Sequence, residues 1–449
     1  MKLSKRLFSI VLAVLFILPA GILCVNAAET TDYTIVSPYE EVIWEGNDAW
    51  GAYKGTLHTH TTYSDANVDL ATMIKEYYAQ DYDFVANADH GVTGVEWNRA
   101  PKMPLLYLYQ PIIGNKYTTL TDEEFEAITS GTYNNRGKGM TCVTGANELN
   151  NLTLTKCHVN GYFLPEGVGT GFGGLENGYD LAVKFTEKNG GISHINHPGD
   201  WLESNSNPEA VNDPANVEFF SDIILRYDSC YGTEVFNEDN GTTGYDRILW
   251  DNMLMYTLPY GKTVIGYSNT DAHETDTIDT SFMTFMMEEN NVANIKKTMM
   301  NGAFFMTTRN LRGNEFEIGP AEPIEAANTD LPYPEFTVLK VDGHKITVKA
   351  ENAQTLQWIA NGHVIMKTEI GAEPVTIDLD KIDGAEDFLY VRAELFGEGG
   401  ITISQALTID NGEEKLSYER QSDIIKDFIF ALKSSRLWVI VQEIIRAIK

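Results

Sequence analysis

Seven of the chain's nine histidines fall between His58 and His273, most of them closing a short apolar run. In Leu57-His58-Thr59-His60 the imidazoles are two residues apart, the spacing that puts both on one face of a strand and lets them share a metal ion. Ser64-Asp65 follows, and Ala88-Asp89-His90-Gly91 closes a second run. Glu148 ends Gly145-Ala146-Asn147-Glu148, His158 opens His158-Val159-Asn160, and His197 sits in Asn196-His197-Pro198. Asp271 and His273 in Asp271-Ala272-His273 repeat the two-residue spacing. A lone His-x-His is more often a pair of ordinary histidines than a metal site. Six imidazoles and several acids arriving in series at strand ends are different, because buried ionisable groups cost free energy unless paired or coordinated. Nitrogen and oxygen donors without thiolate suit Zn²⁺, Mn²⁺ or Fe²⁺.

The elements that must position these residues alternate. Apolar runs at 84–88, 141–144, 191–195, 264–267 and 303–306 read as buried strands, and 70–79, 179–188, 245–256 and 292–300 as helices. Such alternation predicts parallel strands with crossover helices, whose active sites lie at the C-terminal strand ends. Around 319–334, prolines and glycine interrupt all periodicity. Beyond it, period-two segments and the turns Asp342-Gly343 and Asn361-Gly362 predict a small all-β sandwich of immunoglobulin-like size. The last segment, 424–449, spaces apolar residues as an amphipathic helix and carries five basic against two acidic residues. It is expected either to dock on its own protein or to contact a membrane surface or partner. The expected division is a leader at 1–27, a unit carrying the histidine and acid motifs at 28–322, a β unit at 335–411 and a helical tail at 412–449.

Lys2, Lys5 and Arg6 precede an almost wholly apolar stretch that ends at Val25-Asn26-Ala27, the pattern of a cleaved export signal. An uncleaved anchor is the competing reading, and Leu23 before Cys24 disfavours a lipoprotein. The expected location is therefore secreted or bound to the cell envelope. The net charge of −31 becomes three units more negative without that leader. Such acidity argues against a broad grip on nucleic acid, although a cluster of divalent cations would recover local positive charge for a small anion. Cys142, Cys157 and Cys230 give no disulfide framework; Cys142 with Cys157 is a candidate pair and free thiols are the alternative.

Taken in order, His58-x-His60 with Ser64-Asp65, Asp89-His90, Glu148, His158, His197-Pro198 and Asp271-x-His273 resemble the motifs of the polymerase-and-histidinol-phosphatase (PHP) superfamily, over residues 51–310. The resemblance implies a distorted (β/α)7 barrel with two or three divalent ions. One ion would be held by His58, His60, Glu148 and Asp271, and a second by Glu148, His158 and His197. The third would take Asp65, His90 and His273. It also implies phosphoester hydrolysis by a metal-activated hydroxide, with Glu148, Asp271 and His197 at the chemistry. The sequence departs from the family pattern at Ala88, where a threonine is common, and in an insertion-like stretch at 92–138.

Other residues have two readings each. Asp89 is expected to orient a ligating histidine or to be structural, and His194, on the opposite face of the strand from His197, to be a core residue. Arg309 and Arg312 are candidates for gripping phosphate, or ordinary exposed arginines. His344 and His363 are expected to be solvated turn residues. Trp97, Tyr107, Tyr109 and Tyr117 either wall a pocket or pack the loop. The expected substrate is a small phosphoester, with carboxylic ester or carbamate hydrolysis as the alternative and a non-catalytic, metal-stabilised binding module as the third reading.

Overall fold

The computed structural model describes residues 33–103, 116–149, 157–169, 178–204, 206–237, 245–309, 328–418 and Leu432. The expected leader, Tyr107, Tyr109, Arg312 and the helix at 424–449, apart from Leu432, lie outside them. Among the described residues no helix is long and apolar enough to cross a membrane.

The strands of the first part are β1 (Thr34–Val36), β2 (Gly51–Thr56), β3 (Phe84–Val85), β4 (Thr141–Cys142), β5 (Asn147–Glu148), β6 (Val159–Tyr162), β7 (Ile192–Ile195), β8 (Cys230–Asn237), β9 (Ile265–Asn269), β10 (Ser281–Met287) and β11 (Phe304–Thr308). Helices α1 (Leu70–Ala79), α2 (Asp122–Ser130), α3 (Tyr179–Lys188), α4 (Pro198–Leu202), α5 (Pro214–Arg226), α6 (Asp246–Thr257) and α7 (Val292–Asn301) fill the connections. Local chemistry starts them where the sequence allows. Asp69 caps α1 through the Thr72 amide, Thr121 and Glu124 form a capping box on α2, and Asn291 caps α7, which ends at Gly302 with φ +78°.

Two hydrogen-bonded rows carry the site, β2-β3-β4 and β5-β6-β7-β8-β9. Single bridges join them, His90 with Glu148 on one side and Thr59 with Ala272 on the other, so the strand ends meet around one interior. Gly145, at φ +83° between β4 and β5, makes the tight passage possible, since a Cβ there would lie 2.7 Å from the Leu164 nitrogen.

The all-parallel expectation fails at three strands. β6 runs antiparallel to both β5 and β7. Only ten residues separate Glu148 from Val159, fewer than a parallel crossover needs. β10 and β11, the latter read as a strand of the alternating series, instead form an antiparallel extension from β2.

That extension continues into the region after the linker. There β12 (Glu335–Asp342), β13 (Lys345–Glu351) and β16 (Val375–Asp378) form a sheet of their own, while β14 (Thr355–Ala360), β15 (His363–Glu369), β17 (Tyr390–Gly397), β18 (Gly400–Ile403) and β19 (Leu407–Asp410) belong to the same sheet as β2, β10 and β11. β18 pairs with β11 and β19 pairs with β1, so the hydrogen bonding crosses the linker twice. The core crosses it too: Phe305 stacks on Phe336 at 4.5 Å, and Tyr39 and Met286 are buried with Leu339, Trp358 and Leu395. Among the described residues Cys142, Cys157 and Cys230 form no disulfide, so the candidate Cys142–Cys157 pair does not form.

Candidate metal centre

His58 and His60 follow β2 in extended backbone, and their alternation aims both rings into the interior while Thr59 faces away to the Ala272 carbonyl. Two backbone bonds bring the last motif alongside, from His60 N to Ala272 O (3.0 Å) and from Asp271 N to His58 O (3.1 Å). Asp271 adopts φ +47° and His197 φ +24°, unfavourable values for residues with a Cβ, and both carry side chains of the cluster. Antiparallel pairing of β5 with β6 sets Glu148 opposite Asn160, two residues from His158, so the Glu148 and His158 side chains share a face.

Glu148 is the hub. Its Oε1 lies 2.9 Å from His158 Nδ1, 3.3 Å from His58 Nε2 and 3.4 Å from His197 Nε2. Its Oε2 lies 3.0 Å from His90 Nδ1 and 3.1 Å from His60 Nε2. Asp271 Oδ1 is 3.1 Å from His58 Nε2 and 3.0 Å from His60 Nε2. Nearer solvent, Asp65 faces His273 at 3.3 Å, His90 at 3.5 Å and His60 at 3.6 Å. Asp65 is 39% exposed and His273 33%, whereas the ligand atoms deeper in are buried, so the cluster opens to solvent on this side.

The donor atoms fit cations. Three groups have ligand atoms within 4.8 Å of one another: His58, His60, Glu148 and Asp271; His60, Asp65 and His273; and His90, Glu148 and His158. Glu148 Oε2 and Asp271 Oδ1 are buried without a well-aligned hydrogen-bond donor, as atoms waiting for a ligand would be. Burial opposes charge on His58 and His60, but Asp271 and Glu148 outweigh it and hold both rings well above the usual histidine range. His197 is raised in the same way to about 10, against burial, by Glu148 and Asp271. Glu148 is pulled well below the usual carboxylate range, against burial, by His158, His90 and His58. Burial pushes His158 down. The carboxylates therefore demand positive charge in this interior, a demand that divalent ions satisfy.

All nine residues expected as ligands come together: His58, His60, Glu148 and Asp271 form one group as expected, His158 and His197 both face Glu148, and His90 and His273 both face Asp65. His60 joins Asp65 and His273, while His90 faces Glu148 and His158 as well as Asp65. Asp89 does not bond a ligating imidazole. It accepts from Thr61 N (2.7 Å), Thr61 Oγ1 (2.8 Å) and Ser64 Oγ (2.7 Å), and Ser64 Oγ contacts His60 Nδ1 at 3.1 Å. It thus fixes the turn between His60 and Asp65. His194 is a core residue, 2.8 Å from the Tyr162 hydroxyl, stacked on Tyr267 and lowered by burial to about 4.

Arg309 is not brought to the cluster. Its guanidinium is engaged by Asp279, by the Thr329 carbonyl and by the Leu331 carbonyl at 2.8 Å. Trp97 is buried against Phe125, and Tyr117 stacks on Tyr63, both as packing. His344 is not simply solvated, since it bonds Asp380 (2.6 Å) and the Tyr33 carbonyl (2.7 Å).

Two residues of the centre escaped the sequence reading. Asn196 Nδ2 donates to Glu148 Oε1 at 2.7 Å. Glu234, fully buried on β8, accepts from His58 Nδ1 at 2.9 Å and from the His197 amide at 3.0 Å. Its signal was a lone acid inside the apolar run Thr233-Glu234-Val235-Phe236, because an unpaired acid is almost never fully buried.

No family model matches the chain, and no curated protein matches it. Among solved structures, a two-domain protein containing predicted PHP-like metal-dependent phosphoesterase from Bacteroides vulgatus is 14% identical, with TM-score 0.40, over 82% of this chain and 98% of that one. The lesion-specific endonuclease EndoQ from Pyrococcus furiosus is 12% identical, with TM-score 0.32, over 56% of each chain. PsfC from Pseudomonas syringae is 13% identical, with TM-score 0.29, over 53% of this chain and 82% of that one. The buried cluster of His58, His60, His90, Glu148, His158 and Asp271 fits a metal site of the PHP type that the sequence motifs resemble.

Proposed function

We propose that the chain is a secreted, metal-dependent phosphoesterase acting on small phosphoesters, built on a distorted (β/α)7 barrel of PHP type with an immunoglobulin-like β unit. The observation that carries it is Glu148, one carboxylate within 3.4 Å of five imidazole nitrogens, which is the ligand environment of closely spaced cations. Divalent ions bound there supply a water activated near neutral pH and neutralise phosphoryl oxygens and the leaving group. Glu148 and Asp271 would supply the anionic oxygens that hold such ions, and His197, 3.4 Å from Glu148, would add an imidazole. Asp65 and His273, at the exposed edge, meet incoming substrate first. The net charge of −31 disfavours a long polyanion, whereas cations held at the cluster would offer a compact positive site to a small ester.

Carboxylic ester or carbamate hydrolysis is the second reading. It gains from Arg309, whose engagement by Asp279 leaves phosphate without that cationic partner. Initial rates on a phosphomonoester, a phosphodiester, carboxylic esters and single-stranded RNA, each with added Mn²⁺ or Zn²⁺, separate the readings. Fastest turnover is expected on a small phosphoester. Ester cleavage alone would replace the first reading by the second, and RNA digestion with little phosphomonoesterase activity would refute the size preference.

A further inference from the structure

We propose that Glu234 is a positioning residue that fixes two metal ligands at once, the ring tautomer of His58 and the backbone of His197; the inference rests on the metal-centre reading above. The carboxylate is wholly buried on β8 and saturated by four donors. Oε1 accepts from His58 Nδ1 at 2.9 Å and from Asn269 Nδ2 at 2.9 Å. Oε2 accepts from the His197 amide at 3.0 Å and from Asn237 Nδ2 at 2.8 Å. Four donors match the lone-pair sites of an ionised carboxylate, and an ionised carboxylate cannot donate. In its neutral, metal-binding form His58 therefore carries its one proton on Nδ1, which leaves the lone pair on Nε2, the atom that faces Glu148, His60 and Asp271. The amide of Asn269 is itself oriented, because its Oδ1 accepts from the Leu57 amide at 2.8 Å.

The second pair of bonds serves the other end of the cluster. His197 sits at φ +24°, ψ +59°, a conformation that its own Cβ disfavours and that needs outside support. The bond from its amide to Glu234 holds that turn, from which His197 Nε2 reaches Glu148 and, at 3.7 Å, Asp271. One side chain thus ties ligands that come from the ends of β2 and β7. Histidine ligands to metals are generally oriented by such a carboxylate at their second nitrogen, and its loss typically weakens metal affinity about 10- to 100-fold.

Glu234→Gln makes the test sharp. Glutamine keeps the shape but has one acceptor oxygen, so its amide nitrogen must face one of the two donor pairs. Facing His58, it forces the imidazole proton onto Nε2, toward the metal position. Facing His197, it leaves that amide without its acceptor. Zn²⁺ affinity of the full chain, measured by competition with a chromophoric chelator, is expected to fall about 10- to 100-fold in E234Q. In the Zn²⁺-loaded wild type, nitrogen-15 imidazole spectra are expected to show His58 protonated at Nδ1, a readout that a purely structural role does not move.

Unchanged Zn²⁺ affinity in folded E234Q, or loss of thermal stability alone, overturns the proposal and leaves the metal centre standing. A wild type that binds neither Zn²⁺ nor Mn²⁺ overturns both together. If E234Q does not fold, Asn237→Ala decides, because it removes one donor to Glu234 and is not itself a candidate ligand. Its Zn²⁺ affinity is expected to drop about 2- to 10-fold, less than for the full loss of the carboxylate, and an unchanged value would again overturn the proposal.

Discussion

Asp251→Ala should be among the most damaging substitutions outside the metal centre. Asp251 lies on α6 and Arg392 on β17, and the two meet in a bidentate pair at 2.8 and 2.6 Å. Arg392 Nη1 continues to Glu394 at 2.6 Å, and Arg247 of α6 reaches both Glu394 oxygens at 2.9 and 3.0 Å. All four residues are at most 2% exposed, so two cations and two anions balance out of reach of water. Removing one partner of such a pair leaves a buried charge uncompensated, at a cost of about 3–5 kcal/mol. The exposed pair of Lys297 with Glu41, at 2.7 Å, is the control, because surface pairs contribute only about 0–1 kcal/mol. Urea unfolding followed by tryptophan fluorescence and by circular dichroism reads both. Asp251→Ala is expected to lose about 3–5 kcal/mol with both probes moving together, and Glu41→Ala under about 1 kcal/mol. Equal small losses would refute the assignment of a buried ionic link. An early transition confined to one probe would refute the view that the β unit and the first part unfold as one body.

Two further outcomes follow from buried histidines. His197, raised to about 10 in the protein without metal, contributes stability that is fully present below the unfolded value near 6.5 and is lost as pH rises toward 10. The urea midpoint of metal-free protein should therefore fall across that interval, and a flat or rising profile would contradict the placement of His197 among carboxylates. His194→Gln, by contrast, should keep its full complement of metal while losing about 1–3 kcal/mol through the Tyr162 hydroxyl bond and its stacking; loss of metal by that variant would return His194 to the centre.

The ligand residues were legible because their spacing needs only the two-residue period of a strand, as at His58-x-His60 and Asp271-x-His273. Helices with a clear apolar face, α1, α3 and α7, were legible from their own local period of about 3.6 residues. Strand direction was not. Nothing in Val159–Tyr162 distinguishes an antiparallel neighbour from a parallel one, and only the short connection from Glu148 carried a hint. β10 is not picked out by the alternation although Phe282, Met283, Phe285, Met286 and Met287 form an apolar run broken only by Thr284, and without it β11 reads as one of the inner strands. The β unit looked separable because its own alternation is complete. Its attachment depends on Arg392 and Glu394 pointing inward, and polar residues on an alternating strand read as solvent-facing until their partners on α6 are known. Glu234 was hidden likewise: its partners come from β2, β7 and β9, brought together only by the fold.

Metal content read together with activity tests the central claim most directly. Elemental analysis of protein purified with Mn²⁺ or Zn²⁺ present is expected to give two or three ions per chain. Glu148→Gln, which weakens the carboxylate shared by five imidazoles, is expected to lose more than one ion and all phosphoesterase activity while remaining folded. A folded wild type without metal, or a Glu148→Gln variant that keeps its ions and hydrolyses normally, would contradict the account.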